Sequence, residues 1–155
     1  GALISIPLQP VPVTLQTLFL YLAGSLLGGG LGALSQTVYI MLGVIGLPVF
    51  SGGKAGLGVL MGPTGGYLVG FVAGAFVTGK IARLRPDGGL LWLVSAMLAG
   101  TAALYALGVL QLALVGRLSP AKAAVAGVLP FLPGDALKIA AASVIALKVR
   151  DRIRI

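Results

Sequence analysis

The sequence predicts an all-α membrane protein, and its composition and charge distribution carry this prediction. Of the 155 residues, 58% are hydrophobic and only 9% are charged, whereas soluble domains carry about 25% charged residues. The mean hydropathy is +1.09. No charged side chain precedes Lys54, so that region alone can hold two apolar helices of about 20 residues each. We expect residues 1–155 to form a single transmembrane domain.

Five apolar segments predict membrane-spanning helices, separated by segments rich in glycine or proline. They cover about residues 13–27, 32–47, 64–82, 90–114 and a last segment from Gly134 or Asp135 to Val149. The chain starts at Gly1 and its first methionine is Met41. We therefore expect an N-terminal segment with most of one further helix to be missing, which would make a six-helix bundle.

The basic residues predict the orientation of these helices. One set follows the third and last spans, namely Lys80, Arg83, Arg85, Lys148, Arg150, Arg152 and Arg154; the opposite set is Lys54, Arg117, Lys122 and Lys138. Because Lys and Arg are enriched in cytoplasmic loops, the larger set predicts a cytoplasmic C-terminus in the plasma membrane. The segments around Gln16, Lys54 and Asp135 then share the outer side, which indicates a site there.

Glycines repeat every four residues in two places. Gly24, Gly28 and Gly32 form one ladder, and Gly66, Gly70 and Gly74 form the other. This spacing places small residues on one helix face, where backbones can approach closely. We favour packing within the bundle over contact with a partner subunit.

The side-chain inventory argues against an enzyme and against a metal centre. The chain has no cysteine and no histidine, and its only acids are Asp87, Asp135 and Asp151. General acid–base catalysis and metal binding usually need several such groups together. We therefore expect no catalytic residue, no metal and no cofactor. The basic residues form no nucleic-acid-binding stripe, and the glycine-rich turn at Gly28 follows no strand, so it does not predict a nucleotide site.

Asp135 and Lys138, in LPGDALK, stand out because their surroundings are almost purely apolar. One interpretation is structural: Asp135 caps the last helix and pairs with Lys138 on the same face. The other is functional. The last helix is too short to cross the bilayer from Asp135, and charges at membrane depth usually mark a site. We favour a ligand-binding role that includes both residues.

Four further residues are candidates for ligand binding. Thr14 either begins a helix as its N-cap or faces the ligand, and Gln16 offers an amide. Tyr67 follows the segment GPTGG. This segment is either a tight backbone turn with a purely structural role, or it lines the ligand-binding cavity together with Tyr67. Lys54 lies in a glycine-rich loop. It either supplies a positive charge to a loop that covers the ligand or is simply solvated.

The motifs IPLQPVPVTLQTL, YIMLGVIGLPVFSGG, GPTGGYLVGF and LPGDALK, in this order, resemble the BioY family. These proteins are the biotin-binding S components of energy-coupling-factor (ECF) transporters. The resemblance extends over nearly the whole chain, and the four motifs together are specific.

The resemblance implies a six-helix bundle with an outward biotin pocket, and the family's Asp and Lys fall on Asp135 and Lys138. It implies partnership with a transmembrane coupling subunit and two ATPase subunits, although some members are thought to work without them. Some relatives carry an amide near Lys54, or an arginine where this chain has Leu68. The carboxylate of biotin could therefore meet either Lys54 or Lys138.

Two alternatives to biotin uptake remain open at this point. One is an S component for another small vitamin such as riboflavin, thiamine or niacin. The other is a membrane scaffold that uses its glycine ladders to bind helices and takes no ligand.

Overall fold

The computed structural model describes residues 5–6 and 13–153, most of which are helical. Two short strands, β1 and β2, pair antiparallel. Their bounds and those of the helices are β1 Ser5–Ile6, β2 Val13–Thr14, α1 Gln16–Leu27, α2 Gly29–Val44, α3 Leu57–Met61, α4 Gly65–Leu84, α5 Leu90–Val115, α6 Pro120–Gly127 and α7 Leu132–Ile153. The predicted all-α membrane fold is confirmed.

Three segments of the described chain are long and apolar enough to cross a membrane. They are Gly65–Leu84, Leu90–Val115 and Pro120–Arg152. The first predicted span is shorter than expected, because α1 has 12 residues; α2 has 16 residues, as many as the predicted span 32–47, but it lies three residues earlier. At 1.5 Å per residue they extend about 18 and 24 Å. These two apolar helices correspond to the first and second predicted spans: α1 begins only after the extended pair Val13–Thr14, and α2 ends just before Gly46, which has φ 115°.

Helices α1 and α2 form a hairpin around Gly28. This residue has φ 89° and ψ 172°, a conformation that is costly for residues with a Cβ atom. The two arms touch where they cross, since a Cβ atom on Gly32 would lie 3.0 Å from the Cα atom of Gly24. A single residue therefore reverses the chain direction.

The glycine ladders pack inside the bundle, as predicted. A Cβ atom on Gly24 would lie 2.7 Å from the carbonyl oxygen of Ala75 in α4. On the opposite face of α4, Cβ atoms on Gly66 and Gly70 would lie 2.4 and 2.8 Å from backbone carbonyl oxygens of α5. Helix α4 thus lies at the centre, with the α1–α2 hairpin on one side and α5 on the other.

The last membrane segment begins earlier than predicted. Helix α6 precedes it, a 3₁₀ turn at Leu129–Phe131 follows α6, and α7 then starts at Leu132. Pro133 is compatible with this start because the first turn of a helix needs no backbone N–H donor. Asp135 consequently lies inside the first turn of α7 rather than at its cap, and the predicted capping role is wrong.

The two ends of the bundle differ in their basic residues. Arg83 Nη2 donates to the carbonyl oxygen of Leu27 at 2.8 Å, and Arg150 Nη2 donates to that of Ser25 at 2.9 Å. The C-terminal ends of α4 and α7 therefore lie beside the Gly28 turn. The start of α1 and the start of α7 lie together at the other end, where Lys138 bonds to Thr14.

Candidate functional site

Asp135 is a buried carboxylate held between three helices, with 4% of its surface exposed. Thr17 of α1 donates its hydroxyl to Oδ1 at 3.0 Å, and the hydroxyl of Tyr105 in α5 donates to Oδ2. Lys138, one turn further along α7, lies 3.4 Å from Oδ1. A buried charge is stable only when it is paired and hydrogen-bonded, and Asp135 meets both conditions.

The ammonium group of Lys138 has three acceptors. Besides Asp135, Nζ donates to the main-chain carbonyl oxygen of Thr14 and to Thr17 Oγ1 at 3.2 Å. The side chain is 11% exposed. Since a lysine ammonium carries three N–H donors, all three are accounted for within the protein.

A second polar contact lies one helical turn deeper. Tyr21 follows Thr17 by four residues on α1, and Thr101 precedes Tyr105 by four on α5. Their hydroxyl oxygens are 2.5 Å apart. Because Thr101 donates to the carbonyl oxygen of Met97, Tyr21 is the donor. Polar groups thus join α1 and α5 on two successive turns. Tyr21 and Thr101 contact each other directly on one turn, and Thr17 and Tyr105 both contact Asp135 on the other.

Thr14 and Gln16 connect this cluster to the chain that enters α1. The N-cap position of α1 is Leu15, and the Thr14 hydroxyl accepts from the Gln16 backbone N–H at 3.2 Å. The Gln16 amide is also engaged, because Oε1 accepts from Thr14 Oγ1 at 3.1 Å and Nε2 donates to the hydroxyl of Tyr39 at 2.7 Å. The structure thus places Thr14 beside Lys138 and connects Gln16 to it through Thr14.

Tyr67 lies on α4 immediately after the GPTGG turn and is 6% exposed. Its hydroxyl donates to the carbonyl oxygen of Gly127 at 2.7 Å, which ties α4 to α6. The turn itself is held by Gln111 of α5, whose Nε2 donates to the carbonyl oxygens of Leu60 and Gly62 at 2.8 and 2.7 Å. These contacts give the turn and Tyr67 a structural role.

Lys54 is exposed and lies in the segment between α2 and α3, residues 45–56, which we call the Lys54 loop. A backbone bridge pairs Phe50 with Lys54 across the glycines Gly52 and Gly53, which have φ 74° and 72°. The Lys54 side chain makes no hydrogen bond or ion pair with the part of the chain that the structure describes. Its ammonium is therefore available to a ligand.

Thr17 and Tyr105 belong to the cluster but were missed by the sequence analysis. Tyr105 lies in the apolar run of α5, where nothing in the local pattern links it to a residue 30 positions later. Thr17 is 118 positions from Asp135. The only sequence signal for Thr17 was its place directly after the polar residues Thr14 and Gln16.

One carboxylate, one ammonium and two hydroxyls in an otherwise apolar bundle can orient a small polar group by hydrogen bonds. Sites for small molecules commonly combine a mostly apolar lining with a few such groups. Among the described residues, the side chains that contact the Asp135 carboxylate are Thr17, Tyr105 and Lys138.

Comparisons with known proteins agree on one family. A sequence model described as "BioY family" matches residues 1–155. The chain is 44% identical over 150 residues to "Biotin transporter BioY" of Thermotoga maritima, covering 97% of this chain and 87% of that protein. It is 44% identical over 149 residues to "Biotin transporter BioY" of Rhizobium etli, covering 92% and 79%. The crystal structure of the "S-component for biotin from an ECF-type ABC transporter" matches with a TM-score of 0.87 at 29% identity, covering 96% of this chain and 82% of that one.

Proposed function

The chain belongs to the BioY family, and we propose that it takes up biotin as the substrate-binding membrane subunit of an ECF-type transporter. The observation that carries this proposal is Asp135, a buried carboxylate with fixed partners on α1, α5 and α7. Such a charge within an apolar bundle is costly and usually serves a site. Relatives over 40% identical are biotin transporters by name.

The chemistry of biotin fits the acceptors at Asp135. The ureido ring of biotin offers two N–H donors, and its thiophane ring and valerate chain are apolar. An ionised carboxylate has about four lone-pair positions, of which Thr17, Lys138 and Tyr105 take three. One position remains for a ureido N–H, and rotation of the Tyr105 hydroxyl would free another. Such charge-assisted hydrogen bonds are the stronger kind.

The two lysines suit different roles. The three donors of Lys138 already face Thr14, Thr17 and Asp135, which supports a role in holding the ureido-binding cluster in place. Lys54 is exposed in a loop at the same end of the bundle, and its ammonium is available. We therefore assign the carboxylate of biotin to Lys54. Thr14 and Gln16 brace Lys138, and Tyr67 fixes α4 against α6 beside the site.

The cluster lies at the end of the bundle opposite the larger basic set. By the positive-inside rule, we assign Lys80, Arg83 and Arg85 and the C-terminal basic residues to the cytoplasmic side. Biotin then binds from outside. An ECF-type S component implies three partners, a transmembrane coupling subunit and two ATPase subunits. These partners then drive the movement of bound biotin into the cell. This assignment requires no catalytic residue and no cofactor in the chain.

The decisive experiment is biotin binding to the purified protein in detergent. A ligand that binds only the native state raises its apparent stability, so biotin is expected to raise the unfolding temperature. Labelled biotin is expected to bind saturably, and a hundredfold excess of riboflavin, thiamine or niacin is expected not to displace it. Displacement by one of these vitamins would assign the protein to that vitamin instead. No stabilisation by any of them would favour the scaffold.

A further inference from the structure

Tyr39 joins two segments, the start of α1 and the Lys54 loop, that are far apart in sequence and meet at the Asp135 end of the bundle. Its hydroxyl accepts from Gln16 Nε2 at 2.7 Å, at the start of α1. The same hydroxyl donates to the carbonyl oxygen of Val49 at 2.9 Å, in the Lys54 loop. Both bonds use one oxygen atom on α2. A hydroxyl that accepts one hydrogen bond and donates another can hold the two segments in a fixed position relative to each other.

The Lys54 loop is also attached directly to α2. Phe50 is 1% exposed, and its ring lies edge-on to that of Tyr39 with 5.7 Å between centroids. The ring fills the space beside Gly43, where a Cβ atom would lie 2.1 Å from it. The Gly56 N–H also donates to the carbonyl oxygen of Gly43 at 2.7 Å. The Tyr39 hydroxyl extends this attachment to Gln16 at the start of α1.

The connection continues to the buried carboxylate. Gln16 Oε1 accepts from Thr14 Oγ1, and the Thr14 carbonyl oxygen accepts from Lys138. Lys138 in turn pairs with Asp135. Five side chains and two backbone carbonyls thus link the loop that carries Lys54 to Asp135.

We propose that Tyr39 is a positioning residue for ligand binding: its hydroxyl fixes the Lys54 loop to the start of α1, so that the loop stays closed over a bound ligand. This inference rests on the proposed function for the identity of the ligand, biotin. It places Gln16 in the chain of hydrogen bonds from Val49 to Asp135, which we call the relay, rather than in direct contact with the ligand. Loss of the hydroxyl leaves the aromatic packing on Phe50 intact but removes the hydrogen bonds that connect the loop to Gln16 at the start of α1.

The first test is the dissociation rate of labelled biotin from the Tyr39→Phe protein in detergent. Since one hydrogen bond is lost and affinity changes appear mainly in dissociation, the rate is expected to rise about threefold to tenfold. The unfolding temperature of the ligand-free protein is expected to stay close to that of the wild type. Thr37→Val is the matched control: it removes a hydroxyl that bonds only within α2, to the carbonyl oxygen of Ala33 at 2.9 Å. An unchanged dissociation rate in Tyr39→Phe would overturn the proposal.

The second test needs no ligand. The chain has no cysteine, so a nitroxide attached at Ser51→Cys reports only on the Lys54 loop. Its EPR spectrum is expected to show greater mobility when Tyr39→Phe is added and no change when Thr37→Val is added. Equal mobility in both would contradict the anchoring role. Failure of the wild type to bind biotin would refute the proposed function, while this spectrum would still decide the role of Tyr39.

The third test separates a relay from direct contact at Gln16. If Gln16 acts through Tyr39, the Gln16→Leu and Tyr39→Phe changes disturb one connection, and the double variant is expected to release biotin no faster than the faster single variant. If the two rate increases multiply, Gln16 acts on the ligand independently and the relay is refuted.

Discussion

Lys138 and Asp135 lie one turn apart on α7, with 3.4 Å between Nζ and Oδ1, yet each has a closer partner on α1. Asp135 accepts from Thr17 at 3.0 Å, and Lys138 donates to Thr17 at 3.2 Å as well as to the carbonyl oxygen of Thr14. The ion pair is therefore a joint between helices rather than a local contact on one helix face. The geometry of the ion pair depends on the position of α1, and the binding of any ligand to this pair therefore depends on it as well.

Replacement of Asp135 by asparagine is expected to weaken biotin binding. The amide keeps the size of the side chain but loses the charge and presents an NH₂ group to donors. Hydrogen bonds to charged groups contribute about 1.5–3 kcal/mol, so the dissociation constant is expected to rise about tenfold to a hundredfold. Equilibrium binding of labelled biotin measures this. Asp151→Asn, an exposed change on the same helix, is the control, and equal affinity of both variants would refute the role of Asp135.

The two lysines are distinguished by comparing biotin with biotinamide, which lacks the carboxylate. Lys54→Gln is expected to lower the affinity for biotin about twofold to fivefold, as for an exposed ion pair, and to leave biotinamide binding unchanged. Lys138→Gln is expected to weaken both ligands equally, because it disturbs Asp135 and Thr14. Competition binding with both ligands measures the ratio. If Lys138→Gln alone removed the preference for biotin, the two assignments would be reversed.

The sequence predicted the helices better than it predicted the site. The long apolar runs of α4 and α5 and the break at Gly28 are visible locally, so these boundaries fell within a few residues of those observed. Helix α6, PAKAAVAG, was missed because eight residues with a lysine carry too little apolar pattern. Its helical form depends on the Ser119 cap and on packing against α5.

The partners of Asp135 depend on tertiary structure. Lys138 was predicted from its spacing within one helix, whereas Thr17 and Tyr105 reach Asp135 from other helices. A hydroxyl in an apolar helix gives no sign of the direction it faces until the neighbouring helices are placed. The capping interpretation of Asp135 was wrong for a related reason: the helix start was predicted at Gly134 or Asp135, but the helix extends back through Pro133 to Leu132.

The Tyr105 hydroxyl is expected to stabilise the ligand-free protein through Asp135. In Tyr105→Phe the buried carboxylate loses the donor to Oδ2, and a buried acceptor left unsatisfied costs about 1–3 kcal/mol. The unfolding temperature in detergent is therefore expected to fall. In an Asp135→Asn background the same change is expected to lower the unfolding temperature less, because the stability effects of substitutions within one hydrogen-bond network are not additive. An equal fall in both backgrounds would show that Tyr105 acts independently of Asp135.

Close packing of the α1–α2 hairpin on α4 is expected to exclude even a methyl group at Gly79. A Cβ atom there would lie 2.2 Å from the backbone nitrogen of Gly29, and backbone cannot move aside as a flexible side chain can. Gly79→Ala is expected to destabilise the protein by about 1–3 kcal/mol. Gly30→Ala is the control, because Gly30 is an exposed helical residue with nothing within 4 Å. Thermal unfolding of the two variants measures the difference, and equal stability would contradict the packing.

The orientation of the bundle can be tested across α5, whose 26 residues extend about 39 Å. Gly89 precedes this helix on the side of the larger basic set, and Ala121 follows it at the start of α6; both are exposed. Since the chain has no native cysteine, single Gly89→Cys and Ala121→Cys variants give unambiguous labelling. A membrane-impermeant maleimide is expected to label Ala121→Cys in intact cells and Gly89→Cys only after permeabilisation. The reverse pattern would place Asp135 near the cytoplasm, and the proposed entry of biotin from outside would then be untenable.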